Sequence, residues 1–304
     1  MQATRPSVPQ RSLLMSLSKH YQPGRCGLSF ELFPPKTPEG FDALMENVKR
    51  LTAFKPDFFT CTYGAGGSSQ KATLDVVERV YQLTGCPVAS HLTCVGSTVD
   101  DLRAYLRSAA ERGTSYIVAL RGDPPKGTSE FKCVDGGLRY ANELVELIRQ
   151  EFDFGVLVAG YPEVHQEAPS ADVDLTNLKR KVDAGADVVV TQLFYNNEDF
   201  YRFRDACDAA GIRVPIVPGI LPVTNFTQAQ KIAGMCKASI PQSLANAMNE
   251  NDSPEWQFKI GVEHARQQTL DLIENGVPGL HYYVLNKSNA AEAMLEGLEL
   301  GIAG

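Results

Sequence analysis

The chain has 304 residues, of which 43% are hydrophobic and 21% charged, with a formal net charge of −7. That length suits a single α/β barrel and the apolar content suffices for a large core. The acidic balance argues against nucleic acid as a partner, because neutralising phosphates needs a basic surface, and no apolar run approaches the roughly 18–20 residues of a membrane helix.

Residues 1–27 read as a loosely held N-terminal arm. The first thirty residues hold four basic side chains (Arg5, Arg11, Lys19, Arg25) and no acidic one. A transit peptide shares that composition, but Leu13–Leu17 is too short and interrupted for a secretory signal, and a cytoplasmic location is expected. From residue 28 to 304 short β-rich runs alternate with amphipathic stretches. Predicted strands are Leu28–Phe33, Asp57–Thr62, Pro87–Leu92, Ser115–Leu120, Phe154–Gly160, Asp187–Gln192, Val214–Pro218 and Gly279–Val284. Helical spacing recurs between them, as in Phe41, Leu44, Met45, Val48 and Leu51, or Leu138, Ala141, Leu144, Val145 and Ile148. Gly85, Gly113, Gly185, Gly211 and Gly276 each follow a helical run and precede a strand, as helix-ending glycines do. Eight such units predict a parallel eight-stranded (βα)8 TIM barrel forming one catalytic domain, with an open doubly wound sheet as the second choice.

Chemistry in such a barrel sits where strands end. Uncommon polar residues fall there: Glu31, Thr62, His91, Arg121 with Asp123, Tyr161 with His165, Gln192 and Lys287. The opposite junctions carry mostly Gly, Pro and small residues, so one face is marked as active. In β alternation Ser29, Glu31 and Phe33 share one face while Leu28, Phe30 and Leu32 share the other. The apolar set suits the helix side, which turns Glu31 into the lumen. There it is either a general acid or a structural carboxylate paired to Arg or Lys; the strand alone does not choose.

Arg121-Gly122-Asp123-Pro124-Pro125 is a stiff loop whose Arg presents a fork of donors to phosphate or carboxylate, against the plainer reading of a local Arg–Asp pair. The loop Tyr63-Gly64-Ala65-Gly66-Gly67-Ser68-Ser69 could hold an anion on backbone N–H groups, but it is neither a Rossmann nor a Walker loop and equally fits a mobile lid or a plain turn. Tyr161 and His165 can flank a flat heterocycle; a capped, partly buried His is the commoner fate, and His91 shares that ambiguity. The Gln192 amide both donates and accepts, which suits a pterin or flavin edge. Phe226 fits core packing slightly better than stacking. The seven cysteines lack C-x-x-C spacing and the five histidines lack H-E-x-x-H, so free thiols and no protein metal site are expected.

Taken in order, Ser29-Phe30-Glu31-Leu32-Phe33-Pro34-Pro35-Lys36, Thr62-Tyr63-Gly64-Ala65-Gly66-Gly67, His91-Leu92-Thr93-Cys94, Ala119-Leu120-Arg121-Gly122-Asp123, Tyr161-Pro162-Glu163-Val164-His165, Thr191-Gln192 and Pro218-Gly219-Ile220-Leu221-Pro222 closely resemble the bacterial methylenetetrahydrofolate reductase family. The resemblance runs from about residue 28 to about residue 290. It implies FAD, reduced by NADH or NADPH in a ping-pong hydride transfer that converts methylenetetrahydrofolate to methyltetrahydrofolate. It implies that Glu31 is the general acid protonating the folate ring nitrogen, and that Asp123 is the carboxylate beside the flavin that also touches folate. Flavin contacts are implied for Thr62, His91, Arg121, Gly122, Asp123, Tyr140, Tyr161, His165, Asp174 and Lys181. Folate contacts are implied for Glu31, Thr62, Asp123, Gln192, Phe226 and Lys287. Lys287 stands where relatives often carry Arg, which loses a bidentate contact to the folate tail. Gln70-Lys71-Ala72 replaces a more Arg-rich stretch, and no site is assigned there. An assembly of identical subunits is expected, its size left open, as is the choice between NADH and NADPH. The competing reading is a non-redox folate-binding barrel of the methyl-carrier or transferase type.

Overall fold

Strand-end hydrogen bonding closes the sheet through one broken strand. In the computed structural model, which describes residues 17–63, 70–123, 131–298 and 300, nine parallel strands form one sheet. They are β1 (Gly27–Leu32), β2 (Phe58–Cys61), β3 (Val88–Thr93), β4 (Tyr116–Leu120), β5 (Gly155–Gly160), β6 (Val188–Thr191), β7 (Ile216–Val217), β8 (Gly219–Ile220) and β9 (Gly279–Tyr283). Their order is β7-β6-β5-β4-β3-β2-β1-β9-β8. β7 lies within the predicted seventh strand, Val214–Pro218, and β8 continues beyond it, the two parted at Pro218, whose ring removes the N–H a continuous ladder needs. β7 pairs with β6 and β8 with β9, and the Pro218 carbonyl accepts from His281 N at 3.0 Å. The result is the expected TIM barrel, eight strands in effect and nearly closed. The predicted loop Gly64–Ser69, the prolines Pro124 and Pro125, and residues 1–16 lie outside the described residues.

The helices are α1 (Pro38–Thr52), α2 (Gln70–Thr84), α3 (Val99–Glu111), α4 (Ala141–Glu151), α5 (Ala171–Asp183), α6 (Asn197–Ala209), α7 (Phe226–Cys236), α8 (Gln242–Asn249), α9 (Pro254–Glu274) and α10 (Asn289–Leu295). Their starts follow from the sequence. Thr37 caps α1 by accepting from Gly40 N at 3.1 Å ahead of Pro38, and Thr98 with Asp101 forms a reciprocal capping box on α3. The α1 stripe Leu44, Met45, Val48 and Leu51 is buried. Two helices, α7 and α8, intervene between β8 and α9, and they carry their own apolar cluster around Leu221, Val223, Phe226, Leu244 and Met248.

Alternation along the strands divides the core into two. Leu28, Phe30 and Leu32 of β1 join Phe59 and Cys61 in the shell under the helices. Phe58, Ala89, Tyr116, Leu157, Val188 and Val217 fill the lumen. Leu17, fully buried, is part of that lumen cluster. The described part of the arm, from residue 17, is therefore not loose as expected, because the bottom of the barrel offers an apolar socket. His20 fastens the plug: Nδ1 lies 3.1 Å from Asp57 Oδ1 and Nε2 2.9 Å from the Tyr116 hydroxyl. Asp57 also accepts from Leu28 N and Arg25, as Asp187, half a barrel away, accepts from Val156 N and Arg149. Each aspartate so ties the start of the preceding strand to an arginine. Leu17→Ala is expected to cost about 2–5 kcal/mol, read as a lower urea midpoint. A loss below about 0.5 kcal/mol would mean that the lumen bottom closes without the plug.

Candidate active site

A cavity of about 470 Å³ opens at the carboxyl ends of the strands, a size typical of small-molecule sites. Nine of the residues singled out by sequence line it: Glu31, Thr62, His91, Arg121, Gly122, Asp123, Tyr161, His165 and Gln192. Glu31 and His91 are inward positions of β1 and β3, set by period-2 alternation, and the others lie in the loops that follow β2, β4, β5 and β6, so all gather at the mouth.

Glu31 is the centre of this wall. Its Oε2 lies 3.5 Å from His91 Nε2 and 3.8 Å from His281 Nε2, and no Arg or Lys ion pair reaches it among the described residues. Its ion-pairing neighbours within 4 Å among the described residues are these two imidazoles. Burial pushes His91 below the ordinary histidine range, with Glu31 opposing, so its imidazole is neutral at neutral pH. Arg121 is engaged across loops. Its two terminal nitrogens fork onto Glu167 at 2.6 and 2.7 Å, which holds the guanidinium charged and the Glu167 carboxyl below its ordinary range. The plainer alternative of a local Arg121–Asp123 pair thus gives way to a carboxylate 46 residues away.

Gly122 has φ +86, and a Cβ there would meet Val95 Cγ1 at 2.6 Å, so only glycine permits this course of the loop. Tyr161 and His165 stand edge to face at 4.6 Å. Between them Val164 adopts φ +70, a strained setting for a β-branched residue. Behind this pair, Asp174 accepts from His165 N at 2.9 Å, and Lys181 Nζ donates to the Ala159 carbonyl at 2.6 Å while lying 5.8 Å from the centre of the Tyr161 ring. Gln192 Oε1 accepts from Leu193 N at 2.9 Å.

Burial pushes Lys181 down to about 8 from the ordinary lysine value of 10.5, with Asp174 opposing. Between those pH values the folded chain binds fewer protons than the unfolded chain at this group, so its contribution to stability rises with pH. The urea midpoint of the parent, minus that of Lys181→Met, is expected to climb between pH 8 and 10.5. A flat difference would mean that the ammonium is solvated in the fold.

Tyr140, Phe226 and Lys287 are not in the cavity wall. Tyr140 precedes α4, its backbone N held by Glu143 at 3.1 Å and its side chain 59% exposed. Phe226 opens α7 and is buried in the α7–α8 cluster, the core role that the residue alone suggested. Lys287 is exposed beyond a left-handed turn at Leu285 and Asn286. Sequence reasoning missed His281, Tyr283, Thr60 and Thr93, all on the wall. Alternation in Gly279–Tyr283, with Leu280 and Tyr282 turned outward, is the signal that finds the first two.

Polar and titratable groups gathered at the carboxyl end of a parallel barrel define an enzyme of the (βα)8 class. The sequence says which one. The chain belongs to the methylenetetrahydrofolate reductase family, whose profile matches residues 16–299. It is 42% identical over 276 residues to the 5,10-methylenetetrahydrofolate reductase of Escherichia coli K12, covering 90% of this chain and 91% of that protein. It is 38% identical over 289 residues to methylenetetrahydrofolate reductase (NADH) 1 of Arabidopsis thaliana, covering 91% of this chain and 49% of the plant protein. In fold it is similar to a Clostridium thermocellum protein solved with two copies of 5-methyl-5,6,7,8-tetrahydrofolic acid, with TM-score 0.64, 18% identity, and 94% and 97% of the two chains covered.

Proposed function

We propose that the chain is an FAD-dependent methylenetetrahydrofolate reductase in which NADH or NADPH and methylenetetrahydrofolate occupy one pocket in turn. The observation that carries this reading is the Glu31 carboxyl at the mouth of β1, inside the cavity and facing two imidazoles. Family membership supports the redox class.

The wall fits a flavin. Thr60 Oγ1 and Thr93 Oγ1 are buried without a hydrogen-bond partner among the described residues, and both residues line the cavity. Buried hydroxyls of this kind await a polar ligand edge. Thr62, His91, Arg121, Gly122, Asp123, Tyr161 and His165 would hold the group, with Asp174 and Lys181 bracing them from behind; Tyr140 would join only from the rim. When bound, FAD carries two electrons from the nicotinamide to the folate one-carbon unit.

The protein's own work is acid catalysis and placement. Glu31, protonated, gives its proton to the folate ring nitrogen, so that the five-membered ring opens to an iminium whose carbon can be reduced. Asp123 faces the same space with a carboxylate that steadies positive charge developing on the pterin. Gln192, its oxygen already taken by Leu193 N, offers its NH2 group to the pterin edge. Phe226 and Lys287 would reach a bound folate only after the α7 segment or the turn at Leu285 moves.

The test is the colour of the purified protein. A flavin absorbance band that NADH or NADPH bleaches under anaerobic conditions agrees with the proposal. A colourless protein that binds folate unchanged would assign it instead to the non-redox folate-binding class.

A further inference from the structure

Arg121 lines the cavity, yet most of its donors are spent on the protein. Nε donates to the Gly122 carbonyl at 3.1 Å, and the terminal nitrogens each donate to one oxygen of Glu167, at 2.6 and 2.7 Å. Its Cζ stands over the Phe131 ring, 5.2 Å from the ring centre. The guanidinium is therefore fixed in both position and plane, and only its remaining N–H groups are left for a ligand.

Glu167 is not in the cavity wall, but its backbone reaches a second residue that is. Its N–H donates to His165 Nδ1 at 3.1 Å. A backbone N–H only donates, so Nδ1 is bare and the neutral ring keeps its hydrogen on Nε2. Burial, then the Arg121 charge, push His165 below the ordinary histidine range, so the ring is neutral near neutral pH. Any hydrogen bond that this ring gives a ligand starts from Nε2.

The segment that bears Glu167 is tied down from several sides. His165 N donates to Asp174 and Ala168 N to the His165 carbonyl, both at 2.9 Å. Lys237, just past α7, donates to the Gln166 carbonyl at 2.9 Å, and Glu163 accepts from Ser239 N at 2.9 Å. The left-handed Val164 persists inside this frame. Two free surface side chains gain little by pairing. A carboxylate delivered from so fixed a backbone instead holds its arginine in one place, and with the two side chains 21% and 38% exposed the pair adds placement more than stability.

We propose that Glu167 is a positioning residue for the flavin site: its carboxylate fixes the Arg121 guanidinium and its N–H fixes the His165 tautomer. The inference rests on the reading that this cavity holds FAD. Charge alone would act the other way, since Glu167 cancels the Arg121 charge that attracts phosphates. The sign of the mutant effect decides between the two.

Release of FAD from diluted holoenzyme, followed by flavin fluorescence, is the test. Glu167→Gln is expected to release FAD about five- to tenfold faster, with the urea midpoint unchanged. Added to Arg121→Lys, which has no fork, it should change the rate by less than about twofold, because Glu167 acts through Arg121. A rate equal to the parent's, or slower, overturns the proposal; slower release would mean that Glu167 competes with the phosphates. Should the urea midpoint fall as well, the double variant decides: losses that multiply overturn the role, and losses that do not multiply support it. The His165 ring gives a readout independent of turnover. A long-range nitrogen–proton NMR spectrum at about pH 8 should show hydrogen on Nε2 alone, and hydrogen on Nδ1 overturns the tautomer half. A parent that binds no FAD, even in excess, sinks the reading of the cavity and this role with it. A parent that holds FAD, while Glu167→Gln releases it at the parental rate, sinks the role of Glu167 alone.

Discussion

Glu31→Gln is expected to slow folate reduction by about 10²–10⁴-fold while NADH or NADPH still bleaches the flavin. The amide keeps the size and polarity of the side chain but has no acidic proton. Its neighbours cannot stand in: His91 is held neutral by burial, and His281 is tied to Ser29 at 2.8 Å. Reduction by the nicotinamide asks for no proton from this position, so the two half-reactions should part company. Rapid mixing of each half-reaction, monitored by flavin absorbance, measures both. Survival of the two together would remove Glu31 from the acid role.

Gly261→Ala is expected to destabilise the fold by about 3 kcal/mol or more, although the residue is far from the chemistry. A Cβ at this position of α9 would lie 1.5 Å from the Val223 carbonyl oxygen and 2.5 Å from its carbon. These are backbone atoms, which cannot rotate away as a side-chain tip can, so helix and loop must part. Val223 leads directly to Asn225, the cap of α7, and α7 supplies Ile232 and Cys236 to the cavity wall. The same substitution should therefore loosen the pocket on that side. Urea denaturation gives the stability and equilibrium titration gives the folate affinity. A variant within about 0.5 kcal/mol of the parent would mean that α9 and the Val223 loop slide past each other freely.

Much of this arrangement is written locally in the chain. Ser29, Glu31 and the outward Leu28, Phe30 and Leu32 follow from alternation in one strand, and the observed strands lie within a residue or two of those predicted. Pro218 shows the limit of that reading: it ends the predicted seventh strand, yet the chain resumes pairing at Gly219 with a different neighbour. Local pattern does not reveal which strand lies next door. The α7–α8 pair was not foreseen because its apolar residues serve a satellite cluster beside the barrel rather than a plain crossover helix. Nonlocal contacts were the least legible. Nothing near Arg121 announces Glu167, and the partners of Glu31 are imidazoles some 60 and 250 residues away. His281 stayed hidden for that reason, though its own strand points it inward.

In the proposed reaction one pocket serves both substrates in succession, with Glu31 supplying the proton in the second half. The most direct measurement starts from protein reduced by nicotinamide, freed of the nicotinamide under anaerobic conditions, and mixed with methylenetetrahydrofolate alone. Return of the flavin absorbance with about one equivalent of methyltetrahydrofolate per site is the predicted result. Product that forms only when nicotinamide and folate are present together would contradict it.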